Sequence, residues 1–394
     1  MPSPVADRPG LLIRDPYRYS EAVIIVPPPL VECLHCFDGQ QTDLDLRALL
    51  VRITGDLEVG QIEESLVNAL SSSGFLEDDN FAAMKEQRQR EFAEAPQREP
   101  VHAGSAYPAE IGPLKETMRG YMAADDGAAP KPDGLLGIAA PHVSPFGGFR
   151  SYQAAYGAMS PAYRDRTFIV LGTSHYGEPE RFGLTRKPYV TPIGASRTDT
   201  ALVDWLAEKG GPAVRMEDYC HAVEHSIEFQ VLFLQYLYGP DIRVVPILCG
   251  PFVQSIYRGG APEHDDGVRQ FLDALGEMET RERARLFWVL GIDMAHMGRR
   301  YGDGFTATAD EGAMQAVAAR DQARIDRINA GDLGGFWDLV QKDQDDLKWC
   351  GSAPLYTFLK AVPAARGSLH RYEQWNIDEQ SVVSFAGISF ARQD

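Results

Sequence analysis

The sequence is short of cysteine, of positive charge and of long apolar runs, and each shortage excludes something. Five cysteines in 394 residues (Cys33, Cys36, Cys220, Cys249, Cys350) are too few for a disulfide scaffold, so reduced thiols and a cytoplasmic location are expected. Lys and Arg total 38 against 56 Asp and Glu, a formal net charge of −18, which argues against nucleic acid and anionic membrane surfaces as partners. No run approaches the roughly 18 apolar residues needed to span a bilayer. The opening "MPSPVADRPG" carries no apolar segment behind a basic one, so no signal peptide is expected. Internal repeats and low-complexity tracts are also absent.

What is present describes a globular chain. Hydrophobic residues make up 44% and charged residues 24%, enough to bury a large core, and the length favours two domains. Residues 1–80 read as a short β-rich opening followed by helices. Thr42 or Asp43 can cap "DLDLRALLVRI", and "EVGQIEESLVNALSSSGFL" shows helical spacing before a Gly stop. With its "FDG…T…L" and "L…GFLE" patterns, this stretch resembles the small winged-helix-like domain of the PqqD type. That resemblance implies a peptide or protein partner held on a sheet edge. Cys33 and Cys36 form one C-x-x-C around His35. A single such pair is weak evidence for a metal or redox site, and the alternative is two small buried residues. The polar, Ala-rich residues 81–99 read as a linker helix ending at Pro96.

From residue 100 to 394 apolar runs alternate with helical stretches, which predicts an α/β domain. The clearest strands are 134–140, 167–172, 243–250 and 285–292. "QSVVSFAGISFA" reads as a closing strand or hairpin, and "ATADEGAMQAVAARDQARIDRINAGD" as a helix. Chemistry collects where strands end: His142 follows the first, His175 the second, and Asp293 with His296 the fourth. In an open α/β sheet, the loops at the carboxyl ends converge on one crevice, so these groups are expected to share a site.

The ordered motifs "GIAAPHVSPFGG", "VLGTSHYG", "EHSIEFQVLFLQ", "GIDMAHMG", "WCGSAPL" and "SVVSFAGISFA", preceded by "HAGSAYPAEIGPLKETM", resemble the Memo family, also called AmmeMemoRadiSam system protein B. That family is similar in fold to the class III extradiol dioxygenases, whose non-haem iron sits at strand ends. The resemblance implies that His142, His175 and Cys350 bind a metal. Asp293 and His296 would stand across the pocket as acid–base groups, and Glu224 and His225 would line or brace it. Two imidazoles and a thiolate leave coordination positions open, and a thiolate favours copper(I), zinc or iron over magnesium or calcium. Iron(II) or copper is the expected cofactor, with zinc less favoured. Each residue also has a plain structural reading: His142 as a loop hydrogen-bonder, Cys350 as a buried small residue, Asp293 as a loop cap.

"HAVEHSIEFQ" also contains H-x-x-E-H, the inverted zinc-hydrolase signature, which on a helix would place His221 and His225 on one face. The family's motif begins at Glu224, and no third acidic ligand is evident downstream, so a zinc-dependent hydrolase is a minor alternative. The chain also departs from the family pattern. It has "PHVSP" where "PHAGY" is common, Tyr176 in place of a second histidine, and "GID" in place of "SSD", so substrate identity does not carry over. The expected function is therefore a metal-dependent redox enzyme, oxygen-activating by analogy, acting on a small-molecule or peptide substrate. The competing class is a non-catalytic metal-binding or peptide-binding adaptor.

Overall fold

The structure, a computed structural model, describes residues 8–123 and 134–392. The first seven residues, on which part of the signal-peptide expectation falls, lie outside the described residues. Among the described residues no helix is long and apolar enough to cross a membrane. The chain divides into two compact units, Met1–Glu94 and Ala95–Asp394.

The first unit pairs β1 (Leu11–Arg14) with β2 (Val23–Val26) antiparallel, then adds α1 (Asp43–Thr54), α2 (Gly60–Ser72) and α3 (Asp79–Glu94). Thr42 is the cap of α1, exchanging bonds with Asp45 in a capping box. Cys33, Leu46, Leu50, Leu66 and Leu70 close a small core. Cys33 is buried there and both cysteines of the pair are free thiols. The helix expected at 81–99 runs Asp79–Glu94 and belongs to this unit.

The second unit is built on a ten-stranded mixed sheet. At its centre Leu135–Ala140, Leu286–Gly291, Thr167–Thr173 and Arg243–Cys249 run parallel in that order. All are buried almost throughout, which is why they read as unbroken apolar runs rather than alternating ones. Side chains still alternate between two cores. Ile169 and Leu171 enter one, and Phe168 and Val170 the other. Ser381–Arg392 pairs antiparallel with Leu135–Ala140 and with a long strand, Ala365–Asp378, that the sequence did not announce. The expected helix runs Ala313–Asn329.

One local expectation is corrected. "HAVEHSIEFQ" is not one helix: a single turn, Cys220–Val223, ends at Glu224, whose backbone is extended (φ −77°, ψ 139°), and a new helix runs Glu228–Tyr238. His221 and His225 therefore do not share a helix face. His221 is buried and bonds Tyr189 Oη at 2.7 Å and the Gly183 carbonyl at 3.0 Å. The two-histidine zinc-hydrolase arrangement is absent.

Candidate metal centre

The parallel strands deliver their chemistry at their carboxyl ends. His142 lies two residues past Leu135–Ala140, His175 two past Thr167–Thr173, and Asp293 two past Leu286–Gly291. The break at Glu224 brings His225 to the same place. The ring centroids of His142, His175 and His225 stand 4.9, 5.0 and 5.1 Å apart. One donor nitrogen from each ring lies within 4.8 Å of the others. Two glycines allow this close approach. A methyl on Gly291 would stand 2.1 Å from the Ser226 carbonyl oxygen, and one on Gly172 2.5 Å from Ser226 Oγ. Only bare backbone lets the 224–226 segment sit against both strand ends.

Hydrogen bonds fix each ring. His142 Nδ1 is 2.9 Å from the Gly291 carbonyl. His175 Nδ1 is 3.0 Å from Glu224 Oε1, and His225 Nδ1 is 3.1 Å from the same oxygen. A carbonyl and an ionised carboxylate only accept, so each Nδ1 carries a proton, which leaves Nε2 as the nitrogen each ring has for a cation. Glu224 has no exposed surface and also accepts from the backbone N–H of His175, His225 and Ser226, at 2.9, 2.8 and 3.2 Å. It is a bracket for two imidazoles, with no face left for substrate.

Cys350 arrives from the far end of the chain. Its Sγ lies 3.3 Å from His142 Nε2 and 3.6 Å from the Asp293 carbonyl. Thr173 Oγ1 donates to the Cys350 carbonyl at 3.0 Å, tying the cysteine to the strand that carries His175. Asp293 accepts from the backbone N–H of His142 and Val143 through Oδ1, with Oδ2 3.5 Å from His142 Nε2. It shapes the His142 turn as well as facing the ring. His296 begins the edge strand His296–Gly298 and stands apart from the three-ring cluster. Its Nδ1 is 2.9 Å from the Met294 carbonyl and 3.1 Å from that of Lys348, which leaves Nε2 free, and its ring packs edge-on to Tyr301.

These groups share charge. Burial would push His142 down, but Asp293 and Cys350 beside it raise it to about 9. Burial would likewise lower His175, and Glu224 overcomes that and raises it. Burial would raise Cys350, but the charges of His142 and His296 and bonds from His142 and His175 hold the thiol well below its usual range. Burial lowers His225, against Glu224, which raises it. The site is thus a thiolate and a carboxylate facing imidazoles, a donor set that suits a borderline or soft transition metal once the shared protons leave. His142 is buried, while the His175 and His225 side chains keep 28% and 27% of their surface and mark the open side. A separate cavity of about 530 Å³, lined by Glu180, Arg258 and His264 among others, contains none of these residues.

Two supports were not foreseen. Arg98 pairs with Glu228 in full burial and donates to the His221 and Glu224 carbonyls at 2.8 and 2.6 Å, bracing the segment that carries His225. Asp321 is fully buried and accepts from Trp349 Nε1, Tyr372 Oη and Ser384 Oγ at 2.7, 2.7 and 2.6 Å, beside Cys350. Asp321 had a readable signal: it interrupts the apolar face Met314, Val317, Ile325, Ile328 of its helix. Arg98 had none.

Comparison with known proteins follows the same outline. A model of the Memo-like protein family matches residues 98–389. A MEMO1 family protein of Aquifex aeolicus is 24% identical over 386 residues, covering 96% of this chain and 95% of that one, so the likeness reaches into the first unit. MEMO1 family proteins of Methanosarcina acetivorans and Methanopyrus kandleri are 30% and 27% identical, covering 74% and 75% of this chain and 98% and 99% of theirs.

Proposed function

The chain belongs to the Memo-like protein family, and from that premise we propose that it is a metal-dependent redox enzyme whose centre is held by His142, His175 and Cys350. The observation that carries this reading is the 3.3 Å approach of Cys350 Sγ to His142 Nε2, within a cluster whose imidazoles have every Nδ1 anchored. Anchored Nδ1 atoms orient Nε2 lone pairs toward one point, the usual outer support of a metal site. Iron(II) or copper, the metals a thiolate and imidazoles would hold here, would supply one-electron chemistry at the site.

The protein's own residues have assignable tasks. Glu224 orients His175 and His225. Asp293 holds the His142 turn. His296, with Nδ1 anchored and Nε2 free, gives or takes the proton that the reaction requires. A small-molecule or peptide substrate enters on the open side at His175 and His225. Elemental analysis of protein purified without added metal tests the reading. About one equivalent of iron or copper is expected, lost on replacing His142 and His175 together with Ala. Metal content unaffected by that double change counts against it.

A second reading concerns the first unit. A groove of about 430 Å³ runs between β2 and α2, lined by Ile24, Ile25, Val26, Ile62 and Leu66. Of β2's two edges, β1 pairs with one. A peptide with alternating apolar residues would add a strand at the other and bury side chains on α2. Such a groove suits recruitment of a peptide substrate or partner. Fluorescence polarisation of labelled amphipathic peptides should show binding by the wild type that Ile62→Glu weakens at least about tenfold, the loss of roughly one buried anchor. Equal binding by both proteins removes the idea.

A further inference from the structure

His225 shares with His175 a relationship that a free acid–base group does not need. The two rings stack at 5.0 Å with 8° between their planes, and Glu224 Oε1 is hydrogen-bonded to Nδ1 of both. His142 meets both edge-on. Nε2 is thus the nitrogen each ring has for a cation, and one donor atom from each of the three rings lies within 4.8 Å of the others. Three imidazoles with fixed tautomers form a complete nitrogen set for a divalent transition cation.

The sulfur is mounted differently. The three histidines come from strand ends and from a segment bracketed by Glu224. Cys350 follows a turn in which four non-glycine residues, Asp343, Gln344, Asp345 and Lys348, have φ between 52° and 59°. Such backbone persists only where its surroundings hold it, here through Arg324–Asp345, Arg320–Asp346 and Lys348–Asp303 ion pairs. His142 and His175 therefore stand between two donors: a rigidly placed nitrogen and a sulfur on a strained loop.

We propose that His225 is a cation ligand, so that His142, His175 and His225 hold a divalent transition metal without Cys350, and the Cys350 thiolate is a fourth donor that can leave to open the site. The inference rests on the cation-binding reading above and adds the means by which a closed four-donor centre gains a free position.

Titration of the metal-stripped full-length chain with Co²⁺ alone tests it. The wild type should bind one equivalent with an intense near-ultraviolet thiolate-to-cobalt band. Cys350→Ser should lose that band yet keep one equivalent of cobalt and its weaker visible bands. His225→Asn, whose side-chain amide can still donate to Glu224, should keep the band but bind at least about tenfold more weakly. The double variant should bind none at the same concentrations. Unchanged tryptophan fluorescence and unfolding midpoints confirm that each variant is folded, and His225→Gln replaces any that is not. If His225→Asn binds like its parent in either background, or Cys350→Ser binds nothing, the His225 assignment is wrong while the cation-binding reading stands. If the wild type binds no cobalt, both fall.

Discussion

His142 Nε2 stands 3.3 Å from Cys350 Sγ although 208 positions of chain separate the two residues. The imidazole raises the acidity of the thiol, and the sulfur raises the basicity of the ring. Both effects oppose burial, and both have measurable outcomes.

The first outcome is selective alkylation. The thiolate is the nucleophile, and Cys350 holds it at pH values where an ordinary thiol is protonated. Burial raises Cys33, Cys36, Cys220 and Cys249 instead. Iodoacetamide at pH 6.5 should therefore label Cys350 ahead of the other four. Its rate should rise less steeply with pH than that of the other four, and added metal should protect it. Peptide mapping by mass spectrometry reads this. A Cys350 rate that climbs about tenfold per pH unit would mean that no such ion pair exists.

Asp321 tests how Cys350 is held. It binds the indole of the neighbouring Trp349 and the hydroxyls of Tyr372 and Ser384, and Ser384 Oγ accepts in turn from the Ala295 N–H at 2.8 Å, between Asp293 and His296. Asp321→Asn puts an amide donor among three buried donors, at a cost of about 2–4 kcal/mol in urea unfolding. Metal affinity should fall by roughly tenfold as the Cys350 loop loosens, the scale expected of groups that orient ligands. All five tryptophans, at 205, 288, 337, 349 and 375, lie in the second unit, so fluorescence follows that unit alone. An unfolding midpoint and an affinity both equal to wild type would show that Asp321 positions nothing.

Much of this architecture was legible because burial on both faces of a parallel sheet leaves a distinctive run of apolar letters. Those runs ended at His142, His175 and Asp293, and the sheet does bring these ends together. Ala365–Asp378 was missed because one of its faces stays partly exposed and carries Arg, Glu, Gln and Asn, which mask the strand. The resemblance put His225 among the residues that line or brace the pocket, and the helical spacing on both sides of it hid the turn that sets its ring against the other two. What breaks the helix is the Glu224 carboxylate capturing the His225 and Ser226 N–H groups, a local competition that periodicity does not register. The Cys350 turn, with its left-handed aspartates, leaves equally little trace in composition.

His221 supplies a pH dependence away from the centre. Burial, the dominant influence, pushes its imidazole down to about 4, against a nearby Asp218 that raises it. Above about pH 6.5, the usual value for an exposed histidine, folded and unfolded chains are both neutral here and the contribution to stability is complete. As pH falls below that, the unfolded chain takes up a proton that the folded chain refuses. Stability should then drop by up to about 1.4 kcal/mol per pH unit, until the folded histidine itself titrates near pH 4. Urea midpoints from pH 7 to 5 should decline less steeply for His221→Gln than for the wild type. Parallel declines would assign the acid sensitivity to other groups.

The Arg98–Glu228 pair makes the strongest stability prediction because neither side chain has any exposed surface. Glu228 also accepts from Tyr107 Oη and from the His102 N–H at 3.1 Å, and Arg98 Nη1 donates to the Glu99 carbonyl at 2.9 Å, so each charge is fully bonded. Arg98→Met strands a buried carboxylate, and Glu228→Gln strands a buried guanidinium. Each should cost about 3–5 kcal/mol in tryptophan-monitored unfolding, because an uncompensated charge in the interior is worse than none. The double variant should cost less than the sum of the two, with a coupling of about 1–3 kcal/mol. Arg98 also holds the Glu224 carbonyl, so Arg98→Met should weaken metal binding, whereas Glu228→Gln, which leaves that bond in place, should weaken it less. Additive costs, or equal metal affinities in the two single variants, would show that the buried pair is separate from the support of Glu224 and His225.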